Sequence, residues 1–231
     1  PQFGSVAGAL ALIALPAVLI ASQPDLGTAI LVAGSGLSVV LLAGVRWSWV
    51  FAALAAGIAA LPALWAVMKD YQRQRVLTLL DPESDPLGAG WNIIQSKTAI
   101  GSGGLFGKGL FEGTQSHLDF LPESSTDFII AVLAEELGFL GVLGLLTLYF
   151  LLLTRGLYIA TQGRDTFARL LAGGLTLTFF TYLFVNVAMV SGLLPVVGVP
   201  LPLVSYGGTS ALTLLAGFGV LMAVATQPKP L

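Results

Sequence analysis

The sequence contains no cysteine and one histidine, His117. The first absence excludes disulfides and thiolate metal sites, while leaving the redox compartment undetermined. The second means that no histidine-based zinc centre can be built. Charge is also scarce: Lys, Arg, Asp and Glu make up 10% of 231 residues. A soluble domain needs roughly a quarter to cover its surface. With a formal net charge of −2 there is no basic surface for a nucleic acid, so no nucleic-acid partner is expected. In place of charge stands apolar bulk, 56% of the chain, with a mean hydropathy of +0.91. From Leu170 to Pro228 no charged residue occurs. Such stretches belong in lipid, where a central charge costs several kcal/mol.

Six segments are apolar and long enough to cross about 30 Å of hydrocarbon, which takes roughly 20 helical residues. They lie at 5–21, 27–45, 47–68, 128–154, 169–193 and 206–227. The expected fold is all-α: a polytopic transmembrane helical bundle, one membrane domain over 1–231. Pro1-Gln2-Phe3 shows neither an initiator Met nor a signal-peptide pattern, so further helices are expected upstream. Orientation follows from cations in short connections. Arg46, Arg155, Arg164, Arg169 and Lys229 all fall on one side, which is assigned to the cytoplasm with the C-terminus. Residues 69–127 are then one large extracytoplasmic loop.

That loop holds 13 of the 22 Lys, Arg, Asp and Glu residues. Its apolar residues Trp91, Ile93, Leu105, Phe106 and Phe111 argue for structure rather than disorder. A short helix is expected from about Trp91 to Gly101. Gly107-Lys108-Gly109 fails as a phosphate loop because no Ser or Thr follows the Lys. Gly101-x-Gly103 lacks the third Gly of a dinucleotide fingerprint. These glycines read as flexible turns.

The carboxylates are more informative. Asp127 enters the fourth span at the outer boundary, an address from which it can accept a proton from a substrate hydroxyl. Ser124-x-x-Asp127 is equally a capping signature, and on residues alone capping stands first. Glu135 and Glu136 lie deeper, where a carboxylate is paired, neutral or functional; a structural network and a proton relay weigh evenly. Arg73, Arg75, Lys97 and Lys108 are the candidate clamps for an anion, although loop cations ordinarily just solvate a surface. Asp25 is read as the start of the second span. Small polar residues from Ser205 to Ser210 suit either close helix packing or a polar cavity wall.

Seven motifs then converge: Gln23-Pro24-Asp25-Leu26-Gly27-Thr28, Tyr71-Gln72-Arg73-Gln74-Arg75-Val76, Asp81-Pro82-Glu83-Ser84-Asp85-Pro86-Leu87-Gly88, Gln95-Ser96-Lys97, Leu121-Pro122-Glu123, Thr126-Asp127-Phe128-Ile129 and Ser205-Tyr206-Gly207-Gly208. In this order the chain resembles the SEDS family of shape, elongation, division and sporulation proteins over essentially its whole length. Gly113-Thr114-Gln115-Ser116 before Leu-Pro-Glu makes it most similar to the elongation members.

The resemblance implies a peptidoglycan glycosyltransferase of the bacterial cytoplasmic membrane that polymerises lipid II on the outer face. It implies about ten transmembrane helices, the first four lying upstream, and a class B penicillin-binding transpeptidase as partner, docked on spans four and five. Asp127 matches the family's essential Asp, which places the catalytic role above capping. Arg73, Arg75, Lys97, Glu123 and Ser210 are assigned to substrate, with no protein metal site; a divalent cation is left open as cofactor. A polar cavity opening outward at Asp127, walled by the external loop and the starts of spans four and six, is expected. A lipid II flippase or other polytopic carrier, using Glu135 and Glu136, is the competing class, and a noncatalytic scaffold the third.

Overall fold

The computed structural model describes residues 3–23, 25–84, 89–117 and 123–227. Pro24, residues 85–88 and 121–122 of the motifs above, and Lys229 lie outside them. Every regular element described is helical: α1 (Phe3–Ser22), α2 (Leu26–Leu42), α3 (Trp47–Val67), α4 (Asp70–Leu80), a 3-10 turn (Pro82–Ser84), α5 (Ala89–Gly103), α6 (Thr114–His117), α7 (Ile129–Gln162), α8 (Thr166–Val190) and α9 (Gly208–Thr226). The protein is embedded in the membrane. Among the described residues, five helices (α1, α3, α7, α8 and α9) are apolar for 18 residues or more. The sixth expected span, α2, has 17 residues, at the lower end of what crosses a bilayer.

Local chemistry sets the helix ends. Asp25 caps α2, its Oδ1 accepting from the Thr28 N–H at 3.0 Å, and Asp165 caps α8 through the Ala168 N–H at 2.7 Å. At the other end of α8, Gly192 takes φ +73°. Its N–H donates to the Met189 carbonyl and that of Leu193 to Ala188, a Schellman closure that turns the chain sharply away. Two features of α7 differ from expectation. α7 continues to Gln162 rather than stopping near residue 154, so Arg155 lies within the helix, over the Tyr158 ring at 5.4 Å. α7 is also broken at Gly138, where φ is +67° and ψ is −167°.

The packing runs α1 on α2, α2 on α8, α8 on α7, and α5 on α7. Phe128, Ala131, Tyr149, Phe179, Met189, Val190 and Leu201 form the main core, between α7, α8 and the segment after α8. Ala168, Ala172, Leu221 and Val224 form a smaller one at the far end, under α9. α3 has no buried residue. Its apolar surface on every side costs little in lipid.

Candidate active site

The break in α7 is where the polar loop is attached. Interrupting a helix frees backbone groups that must find partners elsewhere, above all away from water. Here the segment after α5 supplies them. The Lys108 and Gly109 N–H groups donate to the Glu135 and Glu136 carbonyls, both at 3.0 Å, and the Phe139 and Leu140 N–H groups donate to Gly104 and Leu105 at 2.9 and 3.2 Å. The backbones approach so closely that a side chain at Gly103 would strike the Ala134 carbonyl, and one at Gly107 the Glu136 carbonyl. The glycines expected to give flexible turns thus serve close approach, with Gly104, Gly107 and Gly109 also at positive φ.

Glu135 completes the joint. It is fully buried, and its carboxylate lies 2.6 Å from the Lys108 Nζ. It also accepts from the Thr114 hydroxyl and from the N–H groups of Thr114 and Gln115 at the start of α6. Lys108 therefore clamps a protein carboxylate. Of the two roles left open for Glu135, the geometry is that of a structural network. Glu136 is buried beside it.

Asp127 is different. α7 begins at Ile129 with Phe128 as N-cap and no side-chain cap bond, so Asp127 does not cap the helix. The carboxylate accepts no hydrogen bond from the described residues, and the Thr126 hydroxyl turns instead to the Glu123 carboxylate at 2.7 Å. Burial pushes the Asp127 carboxyl above its ordinary range, and the charge of Glu123 pushes it the same way.

The turn bearing Asp127 is held by its backbone to the segment between α8 and α9. The Ser205 hydroxyl donates to the Thr126 carbonyl and accepts from the Leu201 N–H. The Tyr206 N–H donates to Ser125 at 2.9 Å, and the Tyr149 hydroxyl anchors the same segment at the Pro202 carbonyl, 2.6 Å away. From α8, the Asn186 amide donates to the Asp127 carbonyl at 2.8 Å and to the Val199 carbonyl at 2.6 Å. Gly198, at φ +73°, lies against the carboxylate: a Cβ there would meet Asp127 Oδ2 at 3.4 Å.

On its other side Gly198 lines a cavity of about 430 Å³, bounded by α2, α7, α8 and α9 and including Thr28, Thr176, Tyr182, Ser210 and Phe218. Among the described residues none from 69 to 127 lines it, and its wall is mainly apolar, so this cavity is not the polar one expected at Asp127. The loop spends its polar groups on α7 instead. Ser210, assigned to substrate, does line the cavity.

The assigned cations are dispersed. Arg73 donates to the Trp65 and Ala66 carbonyls at 3.1 and 2.9 Å, closing the end of α3. Arg75 lies near the start of α2, around a second cavity of about 120 Å³ with Gly27, Met68 and Val197. Hydrogen bonds from Thr28 hold the Asp25 carboxyl below its usual range, and the Arg75 charge adds to this. Lys97 is exposed on α5 and runs over Gly192. Glu123 stands at φ +56° with its carboxylate on Thr126. Among the described residues, no group of three or more His, Asp or Glu is placed to hold a metal ion. Sequence reasoning missed Asn186 as a site residue and took Ser205 only as part of a small polar stretch. Asn186 had a signal, being a polar amide inside an apolar span.

Comparisons agree with this architecture. The peptidoglycan glycosyltransferase MrdB of Escherichia coli K12 is 60% identical over all of this chain and 63% of its own length. The probable peptidoglycan glycosyltransferase FtsW of Trichlorobacter lovleyi is 43% identical over 91% of this chain and 55% of its own. A solved structure showing structural coordination of polymerization and crosslinking by a peptidoglycan synthase complex superposes with a TM-score of 0.79 at 37% identity, covering 94% of this chain and 60% of that one. The crystal structure of an Asp-to-Ala mutant of the Thermus thermophilus rod shape determining protein RodA gives 0.63 at 31%, covering 99% and 60%. The chain thus spans somewhat under two thirds of the relatives it matches. Since the cell cycle protein family of FtsW, RodA and SpoVE matches residues 2–229, nearly end to end, this chain belongs to that family.

Proposed function

We propose that the chain carries the catalytic site of a peptidoglycan glycosyltransferase that polymerises lipid II at the outer face of the bacterial cytoplasmic membrane during cell elongation. The observation that carries this reading is Asp127, a half-buried carboxylate that caps no helix, accepts no hydrogen bond from the described residues and is held above its ordinary range by burial. A general base works best when its pKa approaches the operating pH. Asp127 takes the proton of the acceptor sugar's 4-hydroxyl. The oxygen attacks the anomeric carbon of the donor, and the bond to the polyprenyl pyrophosphate breaks with its electron pair leaving on the phosphate. Attack from the face opposite the leaving group inverts α to β without a covalent enzyme intermediate.

Negative charge builds on the pyrophosphate as the bond breaks, and nearby cations stabilise it most at that point. Lys97 and Arg75 are the cations we assign to it, with Arg73 displaced from this role by its bonds to α3. Glu123 and Ser210 are kept as substrate contacts, the first beside Asp127 and the second on the cavity wall. The loop 69–127 is placed outside and the connection between α7 and α8 inside, following Arg164 and Arg169. A class B transpeptidase docks its single helix on α7 and α8, which expose Phe139, Phe150, Phe180 and Phe184. The relative described as coordinating polymerization and crosslinking supports such a partner.

The transport reading loses its main residue, because Glu135 is committed to Lys108 and α6. The test is polymerisation of purified lipid II by the full-length protein in detergent, with and without Asp127→Asn. Wild-type polymerisation lost in the variant supports the enzyme; polymerisation by neither supports carrier or scaffold.

A further inference from the structure

We propose that Asn186 is the positioning residue of Asp127, holding the main chain of the base against the Gly198–Val199 segment so that the carboxylate faces the gap beside Gly198. This rests on the reading of Asp127 as general base. The carboxylate accepts nothing from the described residues and caps no helix, so its own side-chain bonds do not orient it. Orientation must come from the backbone. Asn186 supplies it by spending both amide N–H groups on two carbonyls, Asp127 at 2.8 Å and Val199 at 2.6 Å, which lie on the two segments facing each other across the site. The side chain is fully buried in an otherwise apolar part of α8, where a Leu or Val would pack but donate nothing.

Its Oδ1 is buried with no partner among the described residues. An unpartnered acceptor is a cost. The amide is therefore present for its two donors.

The consequence is specific. Loosening the Asn186 bridge lets Asp127 turn and lets water reach it. That lowers catalysis through misplacement of the base and brings its titration back toward an ordinary carboxylate. Glu123 is the charged group acting on Asp127. α8 faces it with Asn186, and the packed segment with Gly198, Val199 and Ser205, none of which titrates in this range.

The experiment uses full-length protein in detergent with lipid II, comparing Asn186→Asp, Asn186→Leu and Asn186→Ser with wild type, and Asp127→Asn as reference. Thermal unfolding reports folding. The expected result is a kcat lower by about 10-fold or more with little change in KM. In Asn186→Leu and Asn186→Ser the acidic limb of the kcat profile should shift to lower pH, with Ser, which keeps one donor, between wild type and Leu; Asn186→Asp, which adds a carboxylate beside Asp127, is read on kcat alone. Should Leu not fold, Ser and Asp carry the test. Folded variants with wild-type kcat and an unmoved acidic limb overturn the inference and leave Asn186 a packing residue. An Asp127→Asn protein that polymerises normally overturns the reading of the base instead, whatever Asn186 does.

Discussion

Glu135 and Asp127 lie eight positions apart and have opposite surroundings. Glu135 is the more deeply buried, yet its carboxylate meets an ammonium, a hydroxyl and two backbone N–H groups. Asp127 is only half-buried and meets a neighbouring carboxylate. On the proposed reading of Asp127, burial depth therefore does not mark the reactive group. A carboxylate that accepts from four donors is held as a rivet, whereas one that accepts from none of the described residues is, on the proposed reading, left to meet a substrate. The regions around them follow suit: the joint at Gly138 is interlocked backbone, and the Asp127 turn is a backbone staple whose carboxylate accepts nothing from the described residues.

The comparison is broken most directly at Asp127. Asp127→Asn should reduce lipid II polymerisation by about 100-fold or more while the unfolding temperature stays level or rises. The sign follows from the raised carboxyl. Its folded pKa lies above the unfolded one, so its contribution to stability is present at low pH and lost as pH rises through the folded value. The neutral amide escapes that loss. A clear drop in unfolding temperature would show that Asp127 is structural after all.

At the joint the expectation reverses, with stability moving first. Glu135→Leu leaves Lys108 without its partner and should destabilise by about 3 kcal/mol. Adding Lys108→Met to it should recover part of that loss, which a thermal melt of the double variant in detergent will show. If the single and double variants melt alike, the pair is not coupled.

A smaller effect is expected at Glu123, which raises the Asp127 carboxyl together with burial. Glu123→Gln should move the acidic limb of the pH–rate profile down by a fraction of the displacement, since burial is the larger cause. No movement would remove Glu123 from the electrostatics of the site.

The smallest effects separate the cations. Arg73→Ala should leave polymerisation within about 2-fold of wild type, because its guanidinium serves the end of α3. Lys97→Ala should lower turnover at saturating lipid II if its contact strengthens as the pyrophosphate departs. Equal insensitivity of both, and of Arg75→Ala, would turn attention to a divalent cation, tested by chelation.

The apolar helices were legible because uninterrupted runs leave a chain no other way to satisfy its backbone in lipid. Six runs became six helices, with α2 shorter and α7 longer than their hydropathy suggested. Asp127 was legible as an address, a carboxylate between a polar loop and an apolar run. Its escape from capping was not, since Ser124-x-x-Asp127 reads as a cap until the helix is seen to start at Ile129. The glycines from 101 to 109 were legible as turns but not as a contact. Their spacing says that a backbone comes close without saying to what, and the answer was α7 at Gly138.

Composition and order along the chain thus determined the class, the helices, the polar loop and the presence of a carboxylate where that loop meets a span, because those depend on each residue's own transfer energy and its neighbours in sequence. Only the tertiary structure decided which carboxylate is spent on Lys108 and which has no partner among the described residues. It also decided that Arg73 closes α3, and that Asn186, 59 positions beyond Asp127, holds its backbone. Those outcomes turn on hydrogen bonds of about 3 Å between segments distant in the chain, and no local pattern specifies which donor reaches which acceptor.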